Sequence, residues 1–352
     1  MAYMRCPSCR REGGGEQANG VVETGPARAR KILRVMDLRP ETDRRARAAL
    51  LVAAALLLGG ASAPEGRRVL VSRIPPAYGE TVPAAKAELL KVINEERRGH
   101  GAPPLEYDLL GAKVGDLFCE DAARNRTTGH WDLAGRAPYL RWALAGGYDH
   151  HAQNFAAESR GGYDFTEPPA TLLKKMHAAF MAEEPPDDGH RRTVLDPIWT
   201  HVGIGFAIVG REMRMTEEYS RRVLEWVELP AGPVKAGKKA TVTFRLPKGW
   251  SVGGVDIVWE PEPRGLSREE IAARSAYGLP TDGTMLRPYP PPGSTWTSGE
   301  TGSFSATTGG KVEVAFALDR GPGHYYAVVY GAQGGAIGKR LLPLAAPLVV
   351  AE

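Results

Sequence analysis

Apolar positions along the chain follow two rhythms. From residue 84 to 184 they recur at helical spacing. AAKAELLKVINEERRGHG, from Ala84, sets Ala85, Leu89, Val92 and Ile93 on one face. Arg97 and Arg98 suit the last turn, where the helix dipole favours cations, and Gly99 and Gly101 end the helix. AKVGDLFCEDAARNR predicts a second helix, with Leu110, Val114, Leu117, Phe118 and Ala122 inward. RAPYLRWALAG predicts a short third helix after Pro138. TLLKKMHAAFMAEE predicts a fourth, ended by Pro185 and Pro186. Its Leu172, Leu173, Met176, Ala179 and Phe180 share a face, with His177 and Glu184 at the margins. Glu183 continues that face inward, where a carboxylate needs a partner.

The period then becomes two. HVGIGFAIVG reads as a strand, Gly210-Arg211 as a tight turn, and REMRMTEEYSRR as the hairpin mate. Beyond Leu229, KKATVTFRLP, GVDIVWEP, GSFSATT, KVEVAFALD and HYYAVVYG are short alternating runs between Gly/Pro turns. That pattern predicts a small all-β, sandwich-like domain. GLSREEIAARSAYG interrupts it with one short helix, and LRPYPPPGS reads as a stiff extended loop. The fold class is therefore α+β.

The N-terminal region has a different texture. ETDRRARAALLVAAALLLGGASA joins an arginine-rich start, an apolar run from Ala48 to Leu58 and the small residues Ala61-Ser62-Ala63. These are the three regions of a secretory signal peptide. The apolar run falls short of the roughly 20 residues that span a bilayer. Met36 offers an alternative start, which would make Cys6 and Cys9 of CPSC part of a spurious extension. The expected organisation is a leader over 1–63, a proline-rich linker over 64–83, a first domain over 84–228 and the β domain over 229–352. Cleavage after Ala63 leaves no transmembrane span and directs the body to the periplasm or the exterior.

Charge excludes one class of partner. Residues 1–63 carry 11 Lys/Arg against 6 Asp/Glu, leaving 34 against 35 in the rest of the 352 residues. The body thus offers no electrostatic footprint for nucleic acid. Cys119 is its sole cysteine, so no disulfide forms within it, and the position reads as a small buried hydrophobe. The sequence contains no Gly-x-Ser-x-Gly elbow, P-loop or HExxH motif.

Four segments carry the candidate chemistry: TTGHWDLAGRAPYLRWALAG with His130, HHAQNFAAE with Gln153, FMAEE with Glu183, and DDGHRRTVLDPIWTHVGIG with His190. In this order, after NEERRGHGAPPL, they resemble the CAP superfamily, the SCP-like group of cysteine-rich secretory, antigen 5 and pathogenesis-related proteins. The resemblance covers about residues 84–220. It implies a CAP-type α–β–α sandwich whose cleft carries two histidines and two glutamates. Onto that set His130, Glu183 and His190 match; Gln153, beside Asn154, stands where the second glutamate would be.

Two imidazoles and a carboxylate can bind zinc and leave a position for water, making His130, His190 and Glu183 the candidate metal ligands. The same residues can equally form a structural hydrogen-bond cluster. Gln153 and Asn154 line the cleft, and Gln153 cannot act as a base because an amide does not ionise. Glu183 is the one candidate base. His150 and His151, adjacent in a presumed loop, read as solvent-facing; His201 reads as a strand-edge residue, and His324 is placed in the GPGH turn.

The resemblance implies a monomeric exported module that binds an unknown envelope or extracellular ligand. A metal-dependent hydrolase of peptide or envelope polymer, and a lipid or sterol carrier, remain alternatives. N-terminal sequencing of the exported protein is expected to begin at Pro64. A start upstream of Ala48 would refute the signal-peptide assignment.

Overall fold

The computed structural model describes residues 81–352, except 275, 291, 294, 297, 306–309 and 337–339; at 300 and 301 only the backbone is described. The leader and cleavage site, and residues 64–80 of the linker, lie outside the described residues.

Helix α1 (Val82–Gly99) starts two residues before the sequence reading, with Pro83 in its first turn. Strand β1 (Glu106–Tyr107) and helix α2 (Leu109–Asn125) follow. Asp108 caps α2 by accepting from the backbone N–H groups of Leu110 and Gly111. Leu117, expected inward, is 50% exposed. Helix α3 (Pro138–Leu144) leads into β2 (His150–Ser159). Helix α4 (Pro169–Met181) ends before Glu183, leaving that residue on the following loop. Its buried stripe is rotated from the expected one: His177 is inside and Ala179 outside. Helix α5 (Gly189–Leu195) and the antiparallel hairpin of β3 (His201–Val209) and β4 (Glu212–Arg221) complete this half.

Its sheet has the order β1-β3-β4-β2, antiparallel except for β1 against β3. Val202, Ile204, Phe206 and Ile208, alternate residues of β3, join Leu89 and Ile93 of α1 and Leu172 and Phe180 of α4 in one core cluster. The intervening residues, Gly203 and Gly205, meet Gly111 and Gly115 of α2. A Cβ at Gly203 would lie 2.2 Å from the backbone N of Ala112, and one at Gly205 2.3 Å from the backbone C of Gly115. The VGIG motif thus lets helix and strand backbones touch.

The second half contains β5 (Glu225–Glu228), β6 (Lys239–Arg245), β7 (Trp250–Glu260), helix α6 (Arg268–Ala272), β8 (Gly283–Pro288) and β9 (Glu300–Phe304). Strands β10 (Lys311–Ala317), β11 (Gly323–Gln333), β12 (Leu342–Ala345) and β13 (Leu348–Ala351) complete it. One sheet has the order β10-β6-β5, and the other β12-β11-β7-β8-β9 with β13 also on β11. Val242, Val312 and Val314 of the first meet Val255, Tyr325 and Val329 of the second in one apolar cluster.

Strand β11 differs from the alternation expected of it. Tyr325, Ala327 and Val329 face that cluster, while Tyr326 and Val328 pack with Leu140 and Ala143 of α3. A strand covered on both faces reads as a continuous apolar run, and YYAVVY is one. His324, placed by the sequence reading in a turn, is a buried residue of this strand paired with Glu262. The LRP of LRPYPPPGS belongs to β8 rather than to a loop. Among the described residues no helix is long and apolar enough to cross a membrane.

Gly205→Val and Gly115→Leu are each expected to cost about 3 kcal/mol, because the new side chain meets backbone that cannot rotate away. Urea unfolding measures this; an unchanged midpoint would show that helix and sheet do not meet as described.

Candidate functional site

Strand β4 carries two adjacent acids in its middle, Glu217 and Glu218, both fully buried. Alternation sends them to opposite faces of the sheet. Strand β2 answers each in register, Asn154 opposite Glu217 and Gln153 opposite Glu218.

On the first face, Glu217 accepts from His177 Nδ1 at 2.6 Å, the Tyr219 hydroxyl at 2.7 Å and Asn154 Nδ2 at 3.3 Å. Burial opposes ionisation of Glu217, yet His177, Tyr219 and Asn154 outweigh it and lower its pKa. His177 Nε2 meets Glu96 at 3.0 Å. Burial alone would lower the His177 pKa; Glu217 and then Glu96 override it and raise it to about 8. The helix period had put this histidine at the margin of α4, whereas it is fully buried as an imidazolium between two carboxylates.

On the second face, a hydrogen-bond chain reaches His130. A carboxylate only accepts, so Gln153 turns its amide nitrogen to Glu218 Oε1, at 2.7 Å. Its oxygen then faces His130 Nδ1 at 3.0 Å, and that nitrogen must donate. His130 Nε2 therefore carries a lone pair. Burial, moderated by the Gln153 bond, pushes the His130 imidazole down to about 4, so it is neutral at ordinary pH. A glutamate at position 153 would face Glu218 at hydrogen-bond distance, and one of the two would have to hold a proton.

His190 is oriented the same way. It opens α5, and its Nδ1 donates to Glu183 Oε1 at 2.5 Å. Glu183 Oε2 accepts from the backbone N–H of His190 at 2.9 Å and of Arg191 at 3.3 Å. This is the partner the inward carboxylate required. Phe180 stacks on the His190 ring at 4.7 Å, and the His130 and His190 rings lie 6.2 Å apart. Asn154 Nδ2 also donates to the His190 carbonyl at 3.1 Å, tying α5 to β2.

Glu183 faces residues 190 and 191 rather than His130. Both Glu183 oxygens are taken by residues 190 and 191, and among the described residues no three His, Cys, Asp or Glu side chains form a metal-holding group. The two imidazoles share one form of support. Each has its Nδ1–H tied to a side-chain acceptor, the outer support that fixes a ligating tautomer.

His150 and His151 lie in β2, not in a loop. His151 is buried, stacked on Trp142 at 4.9 Å, with Nε2 on Glu218 at 2.9 Å. His201 opens β3 beside Thr200. Cys119 is fully buried, and burial pushes its thiol far up, away from reactivity.

Sequence reasoning missed Glu217, Glu218 and Tyr277. Two acids side by side in a Met- and Tyr-flanked strand were a usable signal, since one of them must face inward. Tyr277 gave none. It comes from the second half, its hydroxyl donates to the Gln153 carbonyl at 3.0 Å and accepts from the Gln153 N–H at 2.5 Å, and its ring lies 4.7 Å from that of His130.

Comparison with known proteins finds structural similarity over part of the chain only. No family model and no curated protein matches the chain. An extracellular protein containing an SCP domain from Bacillus anthracis is similar at 17% identity over 42% of this chain and 44% of that one, with a TM-score of 0.34. An outer surface protein from Borrelia burgdorferi is similar at 18% identity over 40% of this chain and 93% of that one, with a TM-score of 0.32. A cysteine-rich secretory protein from Staphylococcus aureus is similar at 20% identity over 41% of this chain and 40% of that one, with a TM-score of 0.27. The chain spans less than half the length of the first and third.

His177 and His130 make opposite contributions to stability. The folded-state pKa of His177 lies above the ordinary 6.5. Its contribution is complete below about pH 6.5 and is lost as pH rises through about 8, a change of ~2 kcal/mol. His130, depressed to about 4, contributes fully above pH 6.5 and loses that contribution as pH falls towards 4. Imidazole NMR titration should give midpoints near these two values. Two midpoints near 6.5 would contradict the environments described for these two rings.

Proposed function

We propose that residues 84–228 form a CAP-type α–β–α sandwich followed by a small β-sandwich. In this reading the protein is exported and acts as a binding or interaction module at the cell envelope or outside it. The observation that carries the site is the pair His130 and His190, both anchored at Nδ1 to a side-chain acceptor, with ring centroids 6.2 Å apart. The order of the GH, QN, aromatic-x-x-Glu and GHR motifs supports the family, and the leader pattern supports export.

His130 and His190 would hold a divalent ion, zinc being a metal that imidazole ligands suit. When bound, it would supply Lewis acidity. Glu183 and Gln153 would then orient the two rings from behind. Hydrolysis is the weaker reading, because Gln153 cannot ionise and both Glu183 oxygens already accept from residues 190 and 191.

Calorimetric zinc titration of the full chain tests this. His190→Ala and His130→Ala are each expected to weaken zinc binding by at least about tenfold, equivalent to ~1.4 kcal/mol. No zinc binding by the unaltered chain, with a metal-free His190→Ala variant destabilised by about 1–3 kcal/mol, would leave a purely structural cluster.

A further inference from the structure

A cavity of about 470 Å³ lies where the loop after α5 and the end of β4 meet the second half. Its walls are open to solvent: Pro197, Gln333 and Arg340 are exposed, and Ile198, Trp250 and Leu342 are half-buried. Two guanidinium groups line it, Arg221 from the first half and Arg340 from the second. Among the described residues no carboxylate belongs to the lining.

Arg221 is the last residue of β4 and only 4% exposed. Its Nη1 donates to the Pro343 carbonyl at 3.0 Å, and its guanidinium lies 5.2 Å from the centroid of the Trp250 ring. Its Nε is buried without a partner; its Nη2 has none among the described residues and is not closed off from solvent. A carbonyl and a ring face offer partial charge, not a counter-ion. Buried charges are ordinarily paired, because the desolvation of an ion is costly. Among the described residues no carboxylate comes within ion-pair distance of Arg221 or Arg340, and Arg340 has no hydrogen-bond partner. Burial lowers the Arg221 pKa, and the Asp196 carboxylate works against that fall from farther away.

We propose that this cavity binds a small organic anion, its carboxylate or phosphate group held by Arg221 and Arg340 and its apolar body against Trp250, Ile198 and Leu342. Guanidinium N–H bonds to either group are charge-assisted and stronger than neutral ones. A cation would face two like charges with no acid in the lining. A neutral ligand would leave the Arg221 charge uncompensated. The volume falls in the usual range of ligand cavities, roughly 300–1,000 Å³, and suits one compact molecule rather than a polymer segment. Because the two arginines come from different halves, the bound anion also ties the end of β4 to the segment before β12.

Titration of the full chain with benzoate and with phenyl phosphate, followed by calorimetry and tryptophan fluorescence, tests the proposal. Benzyl alcohol and benzylammonium carry the same ring with no charge and with the opposite charge. At least one of the two anions is expected to bind one-to-one at millimolar concentration or below, and the tighter of them identifies the headgroup. Arg340→Gln alters an exposed residue with no ion pair to lose, so it should fold and weaken that binding by at least about tenfold, equivalent to ~1.4 kcal/mol. Arg340→Glu, which reverses the charge, should abolish it. Binding of neither anion, anion binding unchanged in Arg340→Gln, or benzyl alcohol or benzylammonium bound as tightly as the anions would overturn the proposal. Zinc titration reads the paired histidines separately, so the two sites can fail independently.

Discussion

Two neighbouring carboxylates buried in the middle of one strand constrain everything around them. Glu217 and Glu218 point to opposite faces of the sheet, so each face must provide its own counterpart. Breaking a buried charge pair by removing one partner costs about 3–5 kcal/mol. A one-residue slip of β2 would exchange the faces of Gln153 and Asn154 and strand both acids. The register of the central sheet is therefore specified by polar groups as much as by its apolar stripe. Fixing that register also fixes Gln153, which holds His130, and Asn154, which holds the backbone of His190.

The layers make this possible. Glycines in α2 and β3 bring helix and sheet backbones into contact, and the residues flanking them on β3 complete the opposite core. With no side chains between them, α2 seats Phe118 against Phe155 of β2, ring centroids 5.7 Å apart, and the Arg141 guanidinium lies 3.7 Å above the Phe118 ring. The wall behind His130 is built from helix and strand elements with little freedom to move.

The second half is part of that wall. Helix α3 buries its apolar side on the outer face of β11, so a single cluster spans both halves. Tyr277 braces Gln153 through both its N–H and its carbonyl. Ala346 N–H donates to the Tyr148 carbonyl at 2.8 Å, and an Arg221 guanidinium nitrogen donates to the Pro343 carbonyl at 3.0 Å. The halves meet through apolar surface and backbone bonds together, which couples the paired histidines to the β-rich part of the chain.

The sequence by itself determined the helices other than α5, the β3–β4 hairpin and most strands of the second half. Local periodicity and short motifs carry that information, because the residues that define an amphipathic face lie within a few positions of one another. Partnership was not legible. His177 looked marginal on its helix, yet its counterpart Glu217 is 40 residues away; His151 looked exposed, yet Glu218 is 67 away; Tyr277 reaches Gln153 across 124. Glu183 was read as needing a partner, and the loop after α4 turns it to His190. Only the packed sheet, with its register and its two covered faces, decided which buried polar groups meet, because each such group takes the partner that the tertiary fold brings within hydrogen-bond distance.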